Sequence, residues 1–187
     1  NSNVRTLAFG TGQIELTGNA GTIWNGSAST NLTVTGSKTI NCTYSGATGT
    51  RTLNPSSTIS EANAYNINIT AGTDIVSLQN RYYNLNTTGF TGTIAGASRT
   101  IFGSLTIGAG STYAPTTTST TFAGTSGSHT ITTNGVLFDG VISFNGPGGT
   151  WTFPDALTQE ASRNFTFIDG TVQLKNGVTS TVGNFAT

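Results

Sequence analysis

The chain has 187 residues, is formally neutral with seven basic and seven acidic side chains, and is only 7% charged. Ordinary soluble domains carry about 25% charged residues; here Thr, Ser, Asn and 25 Gly take their place. Without a basic patch, neither nucleic acid nor an anionic membrane surface is an expected partner, and no apolar run approaches the ~18 residues of a membrane span.

In chain order, short runs alternate apolar with polar residues. They predict strands over 13–18 (QIELTG), 31–36 (NLTVTG), 38–44 (KTINCTY), 65–70 (YNINIT), 104–110 (SLTIGAG) and 129–135 (HTITTNG). Four more follow at 141–146 (VISFNG), 150–153 (TWTF), 164–170 (NFTFIDG) and 171–177 (TVQLKNG). Most end at Gly or Asn-Gly, and β-branched Thr suits a pleated surface. Helix formers are scarce; SEANAY (60–65) and PDALTQEASR (154–163) predict a helical turn or two each.

Six of the eight Lys, Arg and His side chains head one phrase, cation–polar–apolar. It occurs at Arg5, Lys38, Arg51, Arg99, His129 and Arg163, with intervals of about 30–34 residues among them. A loose repeat of 20–50 residues points to a solenoid. The fold expected for residues 1–187 is therefore one all-β domain, a parallel β-solenoid of the right-handed β-helix type. At roughly 20 residues and ~4.8 Å per turn it would make about nine turns and a rod ~40 Å long. The alternative is an antiparallel β-sandwich or jelly roll, with Asp139-Gly140 and Asp169-Gly170 as its best hairpin signals. The cations are expected on the outer face of the strand starts, where they discourage mispairing; a ligand-binding row of Arg is the functional alternative. The chain contains no Met, and is expected to be a processed chain or a segment of a longer one.

Little in the sequence carries chemistry. A glycosidase needs two facing carboxyls; Asp139 and Asp169 are the candidate pair, but their Asp-Gly context suits turns equally. His129 stands alone, so a solvated strand position is expected rather than a metal site. Cys42 is unpaired and reads as a small buried strand residue. No catalytic residue, metal or cofactor is expected, and the chain is not expected to be an enzyme. Six Asn-x-Ser/Thr sites and scattered Thr-x-Thr pairs, the latter a hint of ice binding, are near the number that so much Ser and Thr gives by chance. Tyr82 and Tyr83 are the candidate glycan contacts, because the pair breaks alternation and one ring should face outward.

The stretch FNGPGGTWTFPDALT (144–158), followed by FIDGTVQLKNGVTSTVGNF (167–185), resembles the repetitive Gly/Thr/Asn-rich segments of large bacteriophage virion proteins. Bacterial autotransporter passengers and surface adhesins share much of this style. The resemblance implies a structural part of a fibre, tail or capsid appendage that displays a host-surface glycan site. It implies a virion or extracellular location, other virion proteins as partners, and a homo-oligomer, most simply a trimer. The alternatives are a bacterial extracellular adhesin and, further off, a polysaccharide-degrading enzyme on the same coil.

Overall fold

The structure, a computed structural model, describes residues 3–187. It is a parallel β-solenoid of about eight turns, and every strand pairing among the described residues is parallel. That removes the sandwich alternative, which needs consecutive antiparallel hairpins.

Each turn visits three faces in order. The first face begins with β1 (Arg5–Ala8), the second with β2 (Gln13–Leu16) and the third with β3 (Gly21–Asn25). The next turn lays β4 (Leu32–Thr35), β5 (Thr39–Cys42) and β6 (Thr50–Asn54) over them. In the third turn the loop 55–64 takes the place of a first-face strand. Its 3-10 turn, Glu61–Asn63, lies within the predicted helical stretch 60–65, and Asn63 clamps β4 through Leu32 O and Val34 N. From there β7 (Asn66–Ile69), β9 (Leu85–Asn86), β11 (Leu105–Thr106) and β14 (Ser128–Thr132) continue the second face.

The longer strands bend across a corner and serve two faces. β8 (Ile75–Tyr82) and β10 (Thr93–Ile101) start on the third face and finish on the first, with a register break between Gly96 and Arg99. Gly96 has φ +114°, and a Cβ there would fall 2.2 Å from Leu78 O, so the bend requires glycine. β12 (Thr112–Tyr113) then serves the third face and β13 (Ser119–Phe122) the first. β15 (Val141–Thr152) and β16 (Asn164–Gln173) run from the first face to the second, and β17 (Asn184–Ala186) opens a ninth turn. Thus 141–146 and 150–153, predicted as two strands, form one, as do 164–170 and the start of 171–177. Asp169-Gly170 marks the corner inside β16, with Gly170 at φ +101°. Neither Asp-Gly pair makes a hairpin. Stretch 154–163 holds no helix; Thr158 and Gln159 are bridge residues on the third face.

Period-2 alternation sends every second side chain inward, and parallel stacking places like positions over one another. On the second face the column Ile14, Ile40, Ile67, Leu85, Leu105, Ile131 is aliphatic throughout. On the first face Tyr82, Ile101, Phe122, Phe144 and Phe167 follow one another. Trp151 is wholly buried and donates its Nε1–H to Gly103 O at 3.2 Å. Truncating one of these buried aliphatics to Ala would cost about 2–5 kcal/mol.

The six phrase heads do not mark successive turns. Residues one turn apart are separated by as few as 18 positions (Ile75 to Thr93) and as many as 30 (Gly21 to Arg51). The heads fall on all three faces, so the phrase describes how a strand starts rather than where a turn repeats.

Candidate functional site

Three of the six phrase heads, Arg51, Arg99 and His129, are buried rather than on the outer surface as expected, while Arg5, Lys38 and Arg163 keep partial exposure. Arg51 is 0% exposed and Arg99 2%. Arg51 reaches inward at the corner between the second and third faces and grips Asp74 of the next turn through Nε and Nη2. Arg99 has no carboxylate partner. It donates to the carbonyls of Ala95 and Ala97 and to the Tyr113 hydroxyl, with the Tyr113 ring 5.5 Å from the guanidinium carbon. Tyr113 in turn bonds Thr120 Oγ1 at 2.8 Å. A buried guanidinium satisfied by carbonyls and a hydroxyl avoids the cost of an unpaired donor set. The signal was present in the sequence: in Arg51-Thr-Leu53, Arg99-Thr-Ile101 and His129-Thr-Ile131 the cation and the aliphatic share strand parity and hence a face.

His129 is buried, not solvated. A ring nitrogen is 3.0 Å from Ser126 O, and the ring packs 5.7 Å from Trp151 and 6.4 Å from Tyr83. Cys42 is a buried residue of β5 as expected; burial pushes its thiol up to about 12, against an opposing pull from the Arg51 charge.

The carboxylates are dispersed into structural tasks. Asp139 pairs with Arg163 at 2.7 Å. Its neighbours on adjacent turns are Ala114 and Glu160, whereas Asp169 is in register with Asn145. The candidate glycosidase pair is therefore not brought together. Asp155 Oδ2 accepts from Thr133 N and Oγ1, closing a corner. Glu61 accepts from Thr125 N and Oγ1, tying the loop 55–64 to a corner three turns away. Among the described residues no three His, Cys, Asp or Glu side chains gather as a metal site.

The tyrosine pair splits. Tyr82 is fully buried; its hydroxyl donates to Leu53 O at 3.0 Å and accepts from Gln79 N, and burial raises its pKa. It offers no ring to a glycan, which corrects that half of the expectation. Tyr83 is the outward member, half-buried at the corner, with Lys38 Nζ 5.9 Å from its ring centre.

Sequence reasoning missed Arg81, which heads none of the repeated phrases. It lies on β8 between inward Tyr82 and the left-handed Asn80 (φ +67°), so its side chain faces outward. The outward column above it is Thr100, Thr121, Ser143, Thr166. Beside that column the first face carries a depression of about 230 Å³, bounded by Arg81, Thr100, Thr121, Ser98, Ser119 and the loop residue Ser57. Ser119 N donates to Ser98 Oγ at 3.4 Å, and Asn80 Nδ2 is fixed by Asn54 Oδ1 and Pro55 O. The guanidinium makes one long contact, Nη1 to Ile59 O at 3.3 Å.

The second face presents a different polar surface. Asn68 donates to Asn41 Oδ1 at 2.8 Å, Asn41 to Gln13, and Asn84 to Asn66 Oδ1 at 2.9 Å. These amides are spent on one another along the stack. The half-buried Arg81 groove is thus a polar recess with guanidinium donors to spare. No protein-family model matches this sequence, and no curated protein or solved structure matches it either.

Proposed function

We propose that this chain is a rod segment of a virion fibre, tail or capsid appendage, displayed outside a cell, whose outer face holds a host-surface glycan. It works by rigidity and display rather than by turnover, alongside other virion proteins and as a homo-oligomer, most simply a trimer. The observation that supports this reading is the use of charge. The buried arginines are hydrogen-bonded within the coil, Arg51 to a carboxylate and Arg99 to carbonyls and a hydroxyl, and most carboxylates clamp corners, while the outer columns are mostly hydroxyls and amides. Such a surface hydrogen-bonds sugar hydroxyls in both directions, because each hydroxyl is donor and acceptor.

The experiment is twofold. The purified chain, heated and then digested with a broad protease, should keep most of its mass, and images of the assembly should show elongated particles. A compact monomer digested within minutes at room temperature would remove the mechanical role. Reducing ends released from a glycan panel, and lost in Asp139→Asn or Asp169→Asn, would replace display with hydrolysis.

A further inference from the structure

We propose that the Arg81 groove binds the carboxylate of an acidic sugar, a uronate or a sialoside, with the rest of the saccharide running along the hydroxyl column. This rests on the glycan-display reading and specifies its ligand.

Four observations converge on that chemistry. First, Arg81 is the cation with a free fork. Arg51 and Arg163 hold carboxylates, Arg99 holds carbonyls and a hydroxyl, and Arg5 donates to Ala28 O and Thr30 O. Arg81 spends one nitrogen on one carbonyl at 3.3 Å. A guanidinium offers five donors in a plane that fits a carboxylate with two parallel bonds.

Second, no acidic side chain bounds the groove. The carboxylate of the adjoining loop, Glu61, is engaged by Thr125 instead. The field of Arg81 is therefore not cancelled by a carboxylate lining the groove.

Third, besides Asn80 and Arg99, whose guanidinium is buried and bonded to Ala95 O, Ala97 O and the Tyr113 hydroxyl, the remaining walls are the hydroxyl residues Ser57, Ser98, Thr100, Ser119 and Thr121. They cannot balance a whole negative charge alone, but they match the ring hydroxyls around one. A phosphate-rich ligand would call for further cations; a single carboxylate on a polyol needs one.

Fourth, the column continues from Arg81 through Thr100, Thr121 and Ser143 to Thr166 along the rod. Four strand spacings make about 19 Å, the reach of a short oligosaccharide rather than a lone monosaccharide. Asn80, in a left-handed conformation and held by Asn54 and Pro55, fixes the backbone that aims Arg81.

The test is an amide-resolved NMR titration of the isotope-labelled chain with trigalacturonate and with sialyllactose. Fully methyl-esterified trigalacturonate and maltotriose serve as neutral twins. The acidic sugars should shift the amides of Arg81, Thr100 and Thr121 and bind at least tenfold more tightly than the ester, with affinity falling as salt rises. Arg81→Gln should erase that preference and leave the weak binding of the ester in place. Thr121→Val, on another strand and with the guanidinium intact, should weaken acid and ester alike by a few fold. Equal binding of acid and ester, shifts confined to another face, or an unchanged Arg81→Gln would each overturn the proposal. Neutral sugars bound elsewhere on the rod with no acid preference would sink the groove but spare glycan display. Silence toward every saccharide would sink both.

Discussion

Arg51 and Asp74, on successive turns of the coil, form a two-bonded ion pair 2.7 Å long with neither side chain exposed to water. Tyr44 and Phe90 flank the guanidinium at 5.3 and 5.8 Å. Removing one partner leaves the other charge buried and alone, which costs about 3–5 kcal/mol, whereas replacing both with apolar groups of similar volume is close to neutral. Asp74→Asn should therefore lower the urea midpoint severely. The double variant Arg51→Met with Asp74→Leu should recover most of the loss. Additive losses in the double variant would mean that the pair is not a closed electrostatic unit.

That pair also shows where the sequence was legible and where it was not. The second face was readable because Ile14, Ile40 and Ile67 sit in clean alternation within short strands that end at glycines or polar turns. The long strands β8 and β10 were missed because Asn80, at positive φ, and the register break after Gly96 both shift the parity mid-strand. Interior arginines were missed for a different reason. Strand parity places Arg51 with Leu53 and Arg99 with Ile101, but charge is so seldom buried that parity alone does not announce an interior cation. What decides the matter is a partner 23 residues away (Asp74) for one and a hydroxyl 14 residues away (Tyr113) for the other. Neither separation matches a constant repeat, because turn length varies. The Arg81 groove has the same origin: its walls come from β8, β10, β13 and the loop 55–64, whose stacking no local pattern announces.

Thr116 sits at φ +53°, a conformation that a β-branched residue adopts only under constraint. The constraint is the loop between β12 and β13, where Thr116 N donates to Asp139 O at 2.8 Å. Asn tolerates this region far better, because its side chain can bond locally. Thr116→Asn should raise thermal stability by up to about 1 kcal/mol, seen as a melting shift of a few degrees, while Thr116→Val should give none. A melt of Thr116→Asn at or below the wild type would show that the strain is absorbed elsewhere.

The eighth turn leaves apolar columns uncovered. Phe165, Phe167, Val172, Leu174, Val182 and Phe185 line an open hollow of about 270 Å³, with Phe185 62% and Leu174 49% exposed. Exposed contiguous apolar surface of this kind binds environment-sensitive dyes. The native chain should enhance the fluorescence of an anilinonaphthalene dye, and Phe185→Asn with Leu174→Gln should cut that enhancement by more than half at nearly unchanged unfolding midpoint. Undiminished enhancement in that variant would place the dye, and the accessible apolar surface, somewhere else.

Cys42 makes stability depend on pH on the alkaline side. In the unfolded chain the thiol loses its proton near its ordinary value of about 8.5. In the folded chain burial holds the proton until about 12. Between those values the folded state binds the extra proton, so stability falls as pH rises, by at most about 1.4 kcal/mol per pH unit. Below about pH 8 both states are protonated and the group contributes no slope. Tyr82 and Tyr65, also raised by burial, add to the decline above pH 10. Urea titrations from pH 7 to 11 should show a plateau and then a fall, and Cys42→Ala should fall less steeply between pH 9 and 10, before the tyrosines contribute. In the same window the native thiol should resist a disulfide exchange reagent until denaturant opens the coil, because the thiolate is the attacking species. Parallel slopes for wild type and Cys42→Ala, together with prompt labelling of the native protein at pH 8, would mean that this part of the interior admits water.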